Sequence, residues 1–208
     1  MAYYTRPSTT ISPTGFSRPT TLIVPNAYDP AKEYPLVLLL HNYDDPGGTI
    51  VARLAFDDGH NFDDGCFILA PDGANDVLSN AHWNYWTTGA TSDFVYLKAL
   101  VDDVAALWSI DAKRLYVGGY SNGGFMAQQL CLQYPTLFTA KFTLAGSSGV
   151  NDSTALGTAI PSICWHGDGD TTVLTAGDAA AATLPGTLNG HGGVGSTGYE
   201  SAAVTVTD

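Results

Sequence analysis

Positive charge is scarce in this chain of 208 residues, because eight lysines and arginines stand against 20 aspartates and glutamates, a formal net charge of −12. Neutralising the phosphates of a nucleic acid requires a basic face, and anionic membranes attract basic segments. The longest apolar run, at residues 36–40, is far too short to cross a bilayer. We therefore expect neither a nucleic acid nor a membrane as a partner.

Cysteine is also scarce, and the odd number of cysteines, three, excludes a fully paired disulfide framework. Cys66, Cys131 and Cys164 lack the Cys-x-x-Cys or Cys/His spacing of a zinc site, so we interpret them as buried thiols and expect no metal. The N-terminal residues 1–15 lack the apolar stretch of a secretory signal, which leaves the compartment undetermined.

Apolar residues make up 45% of the chain, enough to bury the core of one domain spanning residues 1–208. Short apolar runs predict strands, and apolar residues at helical spacing predict helices. The alternation of the two favours a mostly parallel sheet flanked by helices. The pattern fails in a Gly-rich region at about residues 171–200, which we expect to be irregular. The predicted strands are residues 21–24, 36–40, 66–70, 115–118, 142–145 and 162–165, and the predicted helices are residues 94–108 and 122–134.

A G-x-S-x-G motif stands at residues 119–123, between a predicted strand and a predicted helix. This is the context in which the motif forms a nucleophile elbow, a sharp turn that exposes a serine hydroxyl at the edge of a sheet. The backbone N–H of the next residue and the start of the helix can then stabilise an oxyanion. The motif predicts Ser121 as a nucleophile and the N–H of Asn122 as an oxyanion donor.

The segment SIDAKRLYVGGYSNGGFMAQQL, residues 109–130, resembles the block around the nucleophile in the polyhydroxybutyrate depolymerase and feruloyl esterase group of α/β-hydrolases. PLVLLLH, APDG and WHGDGD follow the order of that group, and the resemblance covers residues 34–173. The resemblance implies an α/β-hydrolase fold and a secreted serine carboxylic ester hydrolase without a cofactor. The implied substrates are short-chain, feruloyl or polymeric esters, and a homo-oligomer is left open.

A seryl hydroxyl needs a base, and in this fold the chain order is serine, then acid, then histidine. Asp170, in HGDGDTTV, is similar to the acid of the group's motif, and Asp168 is the alternative. His191 is the histidine that follows Asp170, but it lies in NGHGGVG with no clear strand before it. The group's usual later segment with a histidine is absent before Asp208.

Three interpretations of the base therefore stay open. In the first, His191 is a shifted base; in the second, the chain is C-terminally truncated and its triad is incomplete. In the third, a partner chain or an upstream histidine such as His41 or His82 supplies the base. We interpret His166 as structural and His60 as a surface residue. The second interpretation carries an alternative function, a weakly active or inactive hydrolase-fold binding protein.

The second oxyanion donor in this fold comes from the loop after an early strand. That loop is HNYDDPGG, residues 41–48, in which Asn42 replaces the group's glycine. We assign the donor to the N–H of Tyr43, with that of Asn42 as the alternative. The aromatic residues Trp83, Tyr85 and Trp86 are predicted to form an apolar platform for the acyl group. The alternative is that they only pack in the core and on the surface.

Overall fold

A computed structural model describes residues 7–54, 56, 65–86, 89, 92–146, 160–167, 169–173 and 187–189. These residues form ten strands and three helices. In chain order they are β1 (Ser8–Ile11), β2 (Thr20–Ile23), β3 (Tyr34–Leu40), α1 (Gly47–Arg53), β4 (Phe67–Leu69), β5 (Ala74–Asn75), β6 (Ala81–His82), α2 (Asp93–Leu107), β7 (Ile110–Tyr120), α3 (Asn122–Gln133), β8 (Ala140–Leu144), β9 (Ser162–Trp165) and β10 (Thr187–Asn189).

Eight of the strands form one sheet in the order β1-β2-β4-β3-β7-β8-β9-β10. The six strands from β4 to β10 in this order run parallel, and β2 and β1 add antiparallel pairs at one end. β5 and β6 form a separate two-stranded hairpin. After β3 the chain adds β4 on one side and later β7 on the other, so the direction of winding reverses between β3 and β7. In open parallel sheets the ligand crevice lies at such a point, outside the carboxyl ends of the strands.

The core lies on both faces of the sheet, which explains the uninterrupted apolar runs of its central strands. Leu36, Leu38 and Leu40 of β3 pack on the face covered by α2 and α3. Val37 and Leu39, which alternate with them, pack on the opposite face with Ile50 and Val51 of α1. The prediction of a mostly parallel sheet flanked by helices is confirmed.

The structure adds elements that the sequence pattern did not predict, namely β1, α1, β5, β6 and β10. Most of the Gly-rich region from residue 171 onward lies outside the described residues, although β10 falls within it. The cysteines are all described and form no disulfide; Cys66 and Cys131 are buried, whereas Cys164 is half-buried. Burial raises the pKa of the Cys131 thiol to about 12, which makes it unreactive.

The helices in the described part of the chain are too short or too polar to span a membrane. The single domain over residues 1–208 stays a prediction, as does a homo-oligomer.

Candidate active site

Ser121 occupies the turn between β7 and α3. Its backbone has a conformation that residues other than glycine rarely adopt. Its φ is +52° and its ψ is −118°. Such a conformation costs of the order of 1–3 kcal/mol and persists only where the surrounding structure enforces it. Here the Ser121 N–H donates to the Leu144 carbonyl of β8 over 2.8 Å, and the Ser121 carbonyl accepts from the Phe125 N–H over 3.1 Å. The elbow is therefore held from both sides.

The glycines of the motif are required by contacts between backbones. A Cβ atom on Gly119 would lie 2.2 Å from the carbonyl of Gly123, and a Cβ on Gly123 would lie 2.0 Å from the carbonyl oxygen of Leu40. Contacts this short with backbone atoms leave no room for a side chain. The start of α3 thus packs directly against the end of β3, next to the loop that begins at His41.

His41 is completely buried and holds the backbone of that loop. Its Nδ1–H donates to the Asn42 carbonyl over 2.6 Å, and its Nε2 accepts from the Gly73 N–H over 2.7 Å. These partners assign the neutral tautomer, and burial, the largest cause, lowers the pKa of the ring. The Asn42–Tyr43 peptide is trans, so its N–H points opposite to its carbonyl and away from His41.

The upstream histidines differ in what their ring nitrogens contact. Both nitrogens of His41 are engaged by backbone groups, so this ring is not placed to take a proton from a serine. His82 is half-buried, and its Nδ1 donates to the Ala74 carbonyl over 2.9 Å. The Nε2 of His166 donates to the Val173 carbonyl over 2.7 Å, in keeping with a structural role. His60 lies outside the described residues.

The Asn122 side chain joins the elbow to the segment after β6. Its Oδ1 accepts from the Trp83 N–H over 2.7 Å, and its Nδ2 donates to the Trp83 carbonyl over 3.1 Å. The Trp83 indole Nε1–H donates in turn to the His41 carbonyl over 3.0 Å. These hydrogen bonds connect the residue after Ser121 to the start of the loop that carries Tyr43.

The three aromatic residues predicted as a platform have different environments. Trp83 is 1% exposed and belongs to the core, whereas Trp86 is 65% exposed. The ring of Tyr85 lies 3.8 Å from that of Trp86 and stacks on Phe125 at 5.0 Å. The sequence analysis did not predict a role for Phe125. Its position on the first turn of α3, four residues after Ser121, could have indicated that its ring lies beside the elbow. An aromatic surface of Tyr85, Trp86 and Phe125 therefore adjoins the elbow, and Trp83 supports it from the core.

Asp170 lies five residues after the end of β9, in a tight turn. Its Oδ1 accepts from the N–H groups of Thr172 and Val173 at 2.8 and 2.9 Å, and its Oδ2 lies 3.3 Å from Nε2 of His166. The hydrogen bond from the Val173 N–H, followed by that from Thr172, lowers the pKa of Asp170, so the carboxylate is ionised at neutral pH. The alternative acid, Asp168, lies outside the described residues.

The register of the sheet relates the ends of the strands that carry these residues. Tyr120 pairs with Leu144, and Leu144 pairs with Trp165, so β7 and β9 end at the same level with only β8 between them. Strands two apart in a sheet are separated by roughly 10 Å. Ser121 directly follows β7 and Asp170 follows β9 by five residues, so both come after strands that end at this edge of the sheet.

His191 itself lies outside the described residues, but the strand before it does not. β10 pairs parallel with β9, with Asn189 opposite Cys164, and ends two residues before His191. The expectation that no strand precedes His191 was therefore wrong. A three-residue strand in a Gly-rich segment is too short to produce a recognisable periodic pattern.

In the ranges that the structure describes, no group of three or more His, Cys, Asp or Glu side chains is arranged to hold a metal ion.

Comparisons with known proteins agree with this architecture. The chain is 29% identical over 118 residues to poly(3-hydroxyalkanoate) depolymerase C of Paucimonas lemoignei, a match covering 54% of this chain and 28% of the relative. It is 36% identical over 74 residues to feruloyl esterase B of Neurospora crassa, covering 36% of this chain and 23% of the relative. The matched stretch thus spans about a quarter of the length of each curated relative. No family model matches the chain.

Solved structures of esterases share the fold. A thermostable esterase superposes with a TM-score of 0.66 at 21% identity, over 88% of this chain and 53% of that one. A carboxylesterase from Mesorhizobium loti superposes with a TM-score of 0.65 at 17% identity, over 88% of this chain and 87% of that one. The chain has the α/β-hydrolase fold. In sequence the chain is similar to a polyhydroxyalkanoate depolymerase and a feruloyl esterase, and in fold it is similar to solved esterases.

Proposed function

We propose that this protein is a serine carboxylic ester hydrolase that acts through an acyl-enzyme on Ser121. The observation that carries the proposal is the strained backbone of Ser121 at the carboxyl end of β7, directly before α3. Backbone strain of this kind is retained where a function depends on it, and an elbow of this geometry presents a hydroxyl to a crevice.

Two backbone N–H groups form the proposed oxyanion hole. Asn122 is the first residue of α3, so its N–H has no acceptor within the helix. The N–H of Tyr43 points away from His41, in a loop that the Gly123–Leu40 contact brings beside the elbow. Donors fixed in this way stabilise the negative charge that develops on a carbonyl oxygen under attack, and each is worth of the order of 3 kcal/mol in such sites.

The proposed base is His191, oriented by Asp170. The imidazole takes the proton of Ser121 as its oxygen attacks the ester carbonyl, and then gives that proton to the departing alcohol. A water molecule, activated by the same ring, hydrolyses the acyl-enzyme and restores the serine. The parallel pairing of β10 with β9 supports this assignment, because it directs the chain before His191 toward the edge where Ser121 and Asp170 lie.

The substrate class that we propose is an ester with an apolar acyl group, either small or polymeric. The two curated relatives are named for a polyhydroxyalkanoate and a feruloyl ester. The aromatic surface of Tyr85, Trp86 and Phe125 beside the elbow offers such an acyl group an apolar contact.

Hydrolysis of p-nitrophenyl butyrate tests the nucleophile. The wild type is expected to hydrolyse this ester and to be labelled at Ser121 by a fluorophosphonate, whereas Ser121→Ala loses both. Ser17→Ala, which removes an exposed hydroxyl far along the chain from the elbow, should change neither. Activity or labelling that persists in Ser121→Ala contradicts the proposal, and ester binding without turnover in the wild type supports the binding-protein alternative.

Histidine variants separate the interpretations of the base. His191→Ala should reduce kcat about as much as Ser121→Ala, because triad members act as a unit. His82→Ala is the matched control and should retain most of kcat. The opposite pattern assigns the base to His82, and full activity in both variants excludes both residues.

A further inference from the structure

Arg18 lies just before β2 and is held in one position by three groups. Its Nη1–H donates to Oδ1 of Asp93, the first residue of α2, over 2.5 Å, and its guanidinium stacks on the ring of Tyr96 at 3.9 Å. Its Nη2–H donates to the backbone carbonyl of Asp72 over 2.7 Å. The Asp93 side chain is 4% exposed and that of Arg18 is 25% exposed. The cation is therefore largely withdrawn from water and donates to a single peptide group.

That peptide group connects Arg18 to His41. The Asp72 carbonyl and the Gly73 N–H belong to one peptide, which is trans, so the N–H points away from the carbonyl that Arg18 contacts. The Gly73 N–H donates to Nε2 of His41 over 2.7 Å, and the Nδ1–H of His41 donates to the Asn42 carbonyl over 2.6 Å. The partners of His41 are therefore a peptide polarised by a cation on one side and the next loop peptide on the other.

Every hydrogen bond in this series donates in the same direction. The Asn42 carbonyl shares a trans peptide with the N–H of Tyr43, the proposed oxyanion donor, so that N–H is the next donor. In such a series each group is polarised by the donor behind it, which strengthens each bond by about 10–30%. We call the series the hydrogen-bond chain; its members, in order, are Arg18, Asp72, Gly73, His41, Asn42 and Tyr43.

Stability alone does not account for a buried cation at this place. Taking an ion pair out of water costs several kcal/mol, and replacing a buried pair with apolar side chains is often neutral or stabilising. Asp93 balances the charge of Arg18, and its Oδ2 accepts from the Asn84 N–H over 2.8 Å. Neither contact requires the guanidinium to donate to the Asp72 carbonyl as well. A cation at that carbonyl acts on the peptide that His41 contacts.

We propose that Arg18 is a positioning residue for ester hydrolysis, which acts through the hydrogen-bond chain to fix and polarise the N–H of Tyr43 as an oxyanion donor. The proposal rests on the proposed function and assigns a role in it to a residue outside the triad and the oxyanion hole. No proton moves along the chain, because burial, the largest cause, lowers the pKa of His41 and keeps its ring neutral. Each donor keeps its proton while negative charge develops on the ester carbonyl oxygen.

The test removes the cation and its counter-charge together. Arg18→Met alone leaves Asp93 as a buried unpaired carboxylate, which is strongly destabilising. In the double variant Arg18→Met/Asp93→Asn, the new amide oxygen can still accept from the Asn84 N–H. Its kcat for p-nitrophenyl butyrate should fall about five- to tenfold, less than the roughly 100-fold cost of losing a donor outright, because the Tyr43 N–H remains but is less polarised. KM should stay within about twofold of the wild-type value.

Inhibitors separate this role from a merely structural one. When a trifluoromethyl ketone binds, the Ser121 oxygen adds to its carbonyl carbon, the seryl proton passes to the base and the carbonyl oxygen becomes an oxyanion. The inhibition constant of the ketone should therefore rise by the same factor as kcat/KM falls. The corresponding alcohol forms no oxyanion, and its inhibition constant should change by less than about twofold. Arg18→Lys, which keeps a cationic donor, should retain kcat within about twofold.

The double variant Arg114→Met/Asp111→Asn is the matched control. Arg114 has the same kinds of partner as Arg18, since its Nε–H donates to Oδ2 of Asp111 over 2.7 Å and its Nη2–H donates to the Glu33 carbonyl over 2.8 Å. These residues lie near the start of β7 and directly before β3, at the opposite edge of the sheet from Ser121. The control loses the same two charges and should keep kcat and both inhibition constants within about twofold of the wild type.

Four results overturn the proposal: an unchanged kcat in the Arg18 double variant, an equal fall in the control, a rise in KM alone, or an equal weakening of the ketone and the alcohol. Urea unfolding checks that each variant is folded. If the double variant is not folded, Arg18→Gln, which keeps a donor without charge, takes its place and must show the same selective weakening of the ketone. A wild type that hydrolyses no soluble ester refutes the proposed function instead, so the two failures are distinguishable.

Discussion

Ser121 holds a backbone conformation that glycine adopts without strain but that serine does not. The hydroxyl that the proposed function needs therefore lowers the local stability of the fold. A hydroxyl at this position requires the β7–α3 turn to hold a side chain at positive φ. The structure supplies that constraint through the Leu144 carbonyl and the packing of Gly119 and Gly123.

Relief of the backbone strain at Ser121 should be measurable as a gain in stability. Ser121→Gly and Ser121→Ala both remove the hydroxyl, but only the glycine variant removes the positive-φ penalty. We expect Ser121→Gly to be more stable to urea than Ser121→Ala by about 1 kcal/mol, the strain of roughly 1–3 kcal/mol less the greater unfolded-state freedom of glycine. Equal or lower stability of the glycine variant would show that the elbow is not strained.

His41 makes stability depend on pH in a defined window. Because burial lowers its pKa in the folded protein, the unfolded chain binds a proton more readily near the ordinary value of about 6.5. The stability that the neutral ring contributes is present above that pH and is lost as the pH falls below it, with a slope of at most about 1.4 kcal/mol per pH unit.

Urea unfolding between about pH 7.5 and pH 5.5 checks this dependence. The wild type should lose stability across the window, and His41→Asn, which has no ring to protonate, should give a flatter profile. Asp76, Asp111 and Asp170 do not interfere, since their lowered pKa values place their losses at still lower pH, below the ordinary aspartate value. Parallel profiles for the two proteins would rule out His41 as the source.

Sequence reasoning reached Ser121 because the elbow is encoded locally, by glycines two residues to either side of it. It could not assign the role of the Asn122 side chain, because its partner, Trp83, lies 39 residues away in the chain. For the same reason Trp83, an aromatic residue next to Tyr85, was predicted to face substrate, whereas its 1% exposure and its bond to His41 place it in the core.

At the scale of elements, the contact of α3 with the end of β3 sets the geometry of the proposed site. The closest point is Gly123, for which a Cβ would lie 2.0 Å from the Leu40 carbonyl oxygen. Both partners are backbone, and neither can rotate away as a flexible side chain could. A substitution at this point must separate a helix from the sheet.

We therefore expect Gly123→Ala to lower the free energy of unfolding by about 3 kcal/mol or more, as for overpacking at a backbone contact. Gly167→Ala is the control, because nothing lies within 4 Å of a Cβ built there. That variant should stay within about 0.5 kcal/mol of the wild type. Denaturant unfolding measures both, and similar values for the two variants would contradict the packing argument.

The elements that were predicted from the sequence are those long or apolar enough to show a recognisable pattern of apolar residues. β3, β4, α2 and α3 were predicted because each is buried along much of its length. β5 and β6 have two residues each, β10 has three, and α1 begins with two glycines after Pro46, so pairing and packing rather than local pattern create them. The strand before His191 belongs to this second group.

At the scale of the whole molecule, the acidic charge acts on what approaches the site. Asp44 and Asp45 follow Tyr43 within the loop of residues 41–48, after β3, and Asp170 follows β9, on the other side of β7. With a net charge of −12, the protein repels anions at long range, and salt screens this repulsion.

The expected result is a difference in salt dependence between two soluble esters. For an anionic hemiester such as p-nitrophenyl succinate, kcat/KM should rise severalfold as NaCl increases from about 0.01 M to 1 M, as the Debye length falls from roughly 30 to 3 Å. For the neutral p-nitrophenyl butyrate it should change by less than about twofold. Identical salt profiles for the two esters would show that the net charge of the protein does not repel anionic substrates from the site.

The unequal burial of the four tryptophans gives the protein an optical signature of its own. Trp83 is enclosed in the core and Trp108 packs against it, whereas Trp86 and Trp165 are 65% and 46% exposed. A water-soluble quencher such as iodide will reduce emission most from the exposed pair and least from Trp83, whose buried ring emits at shorter wavelength, with the half-buried Trp108 between them. A compound lying on Tyr85 and Trp86 will shield part of the quenchable fraction without shifting the spectrum of Trp83. Fluorescence can therefore report occupancy of this surface by a molecule that is never cleaved.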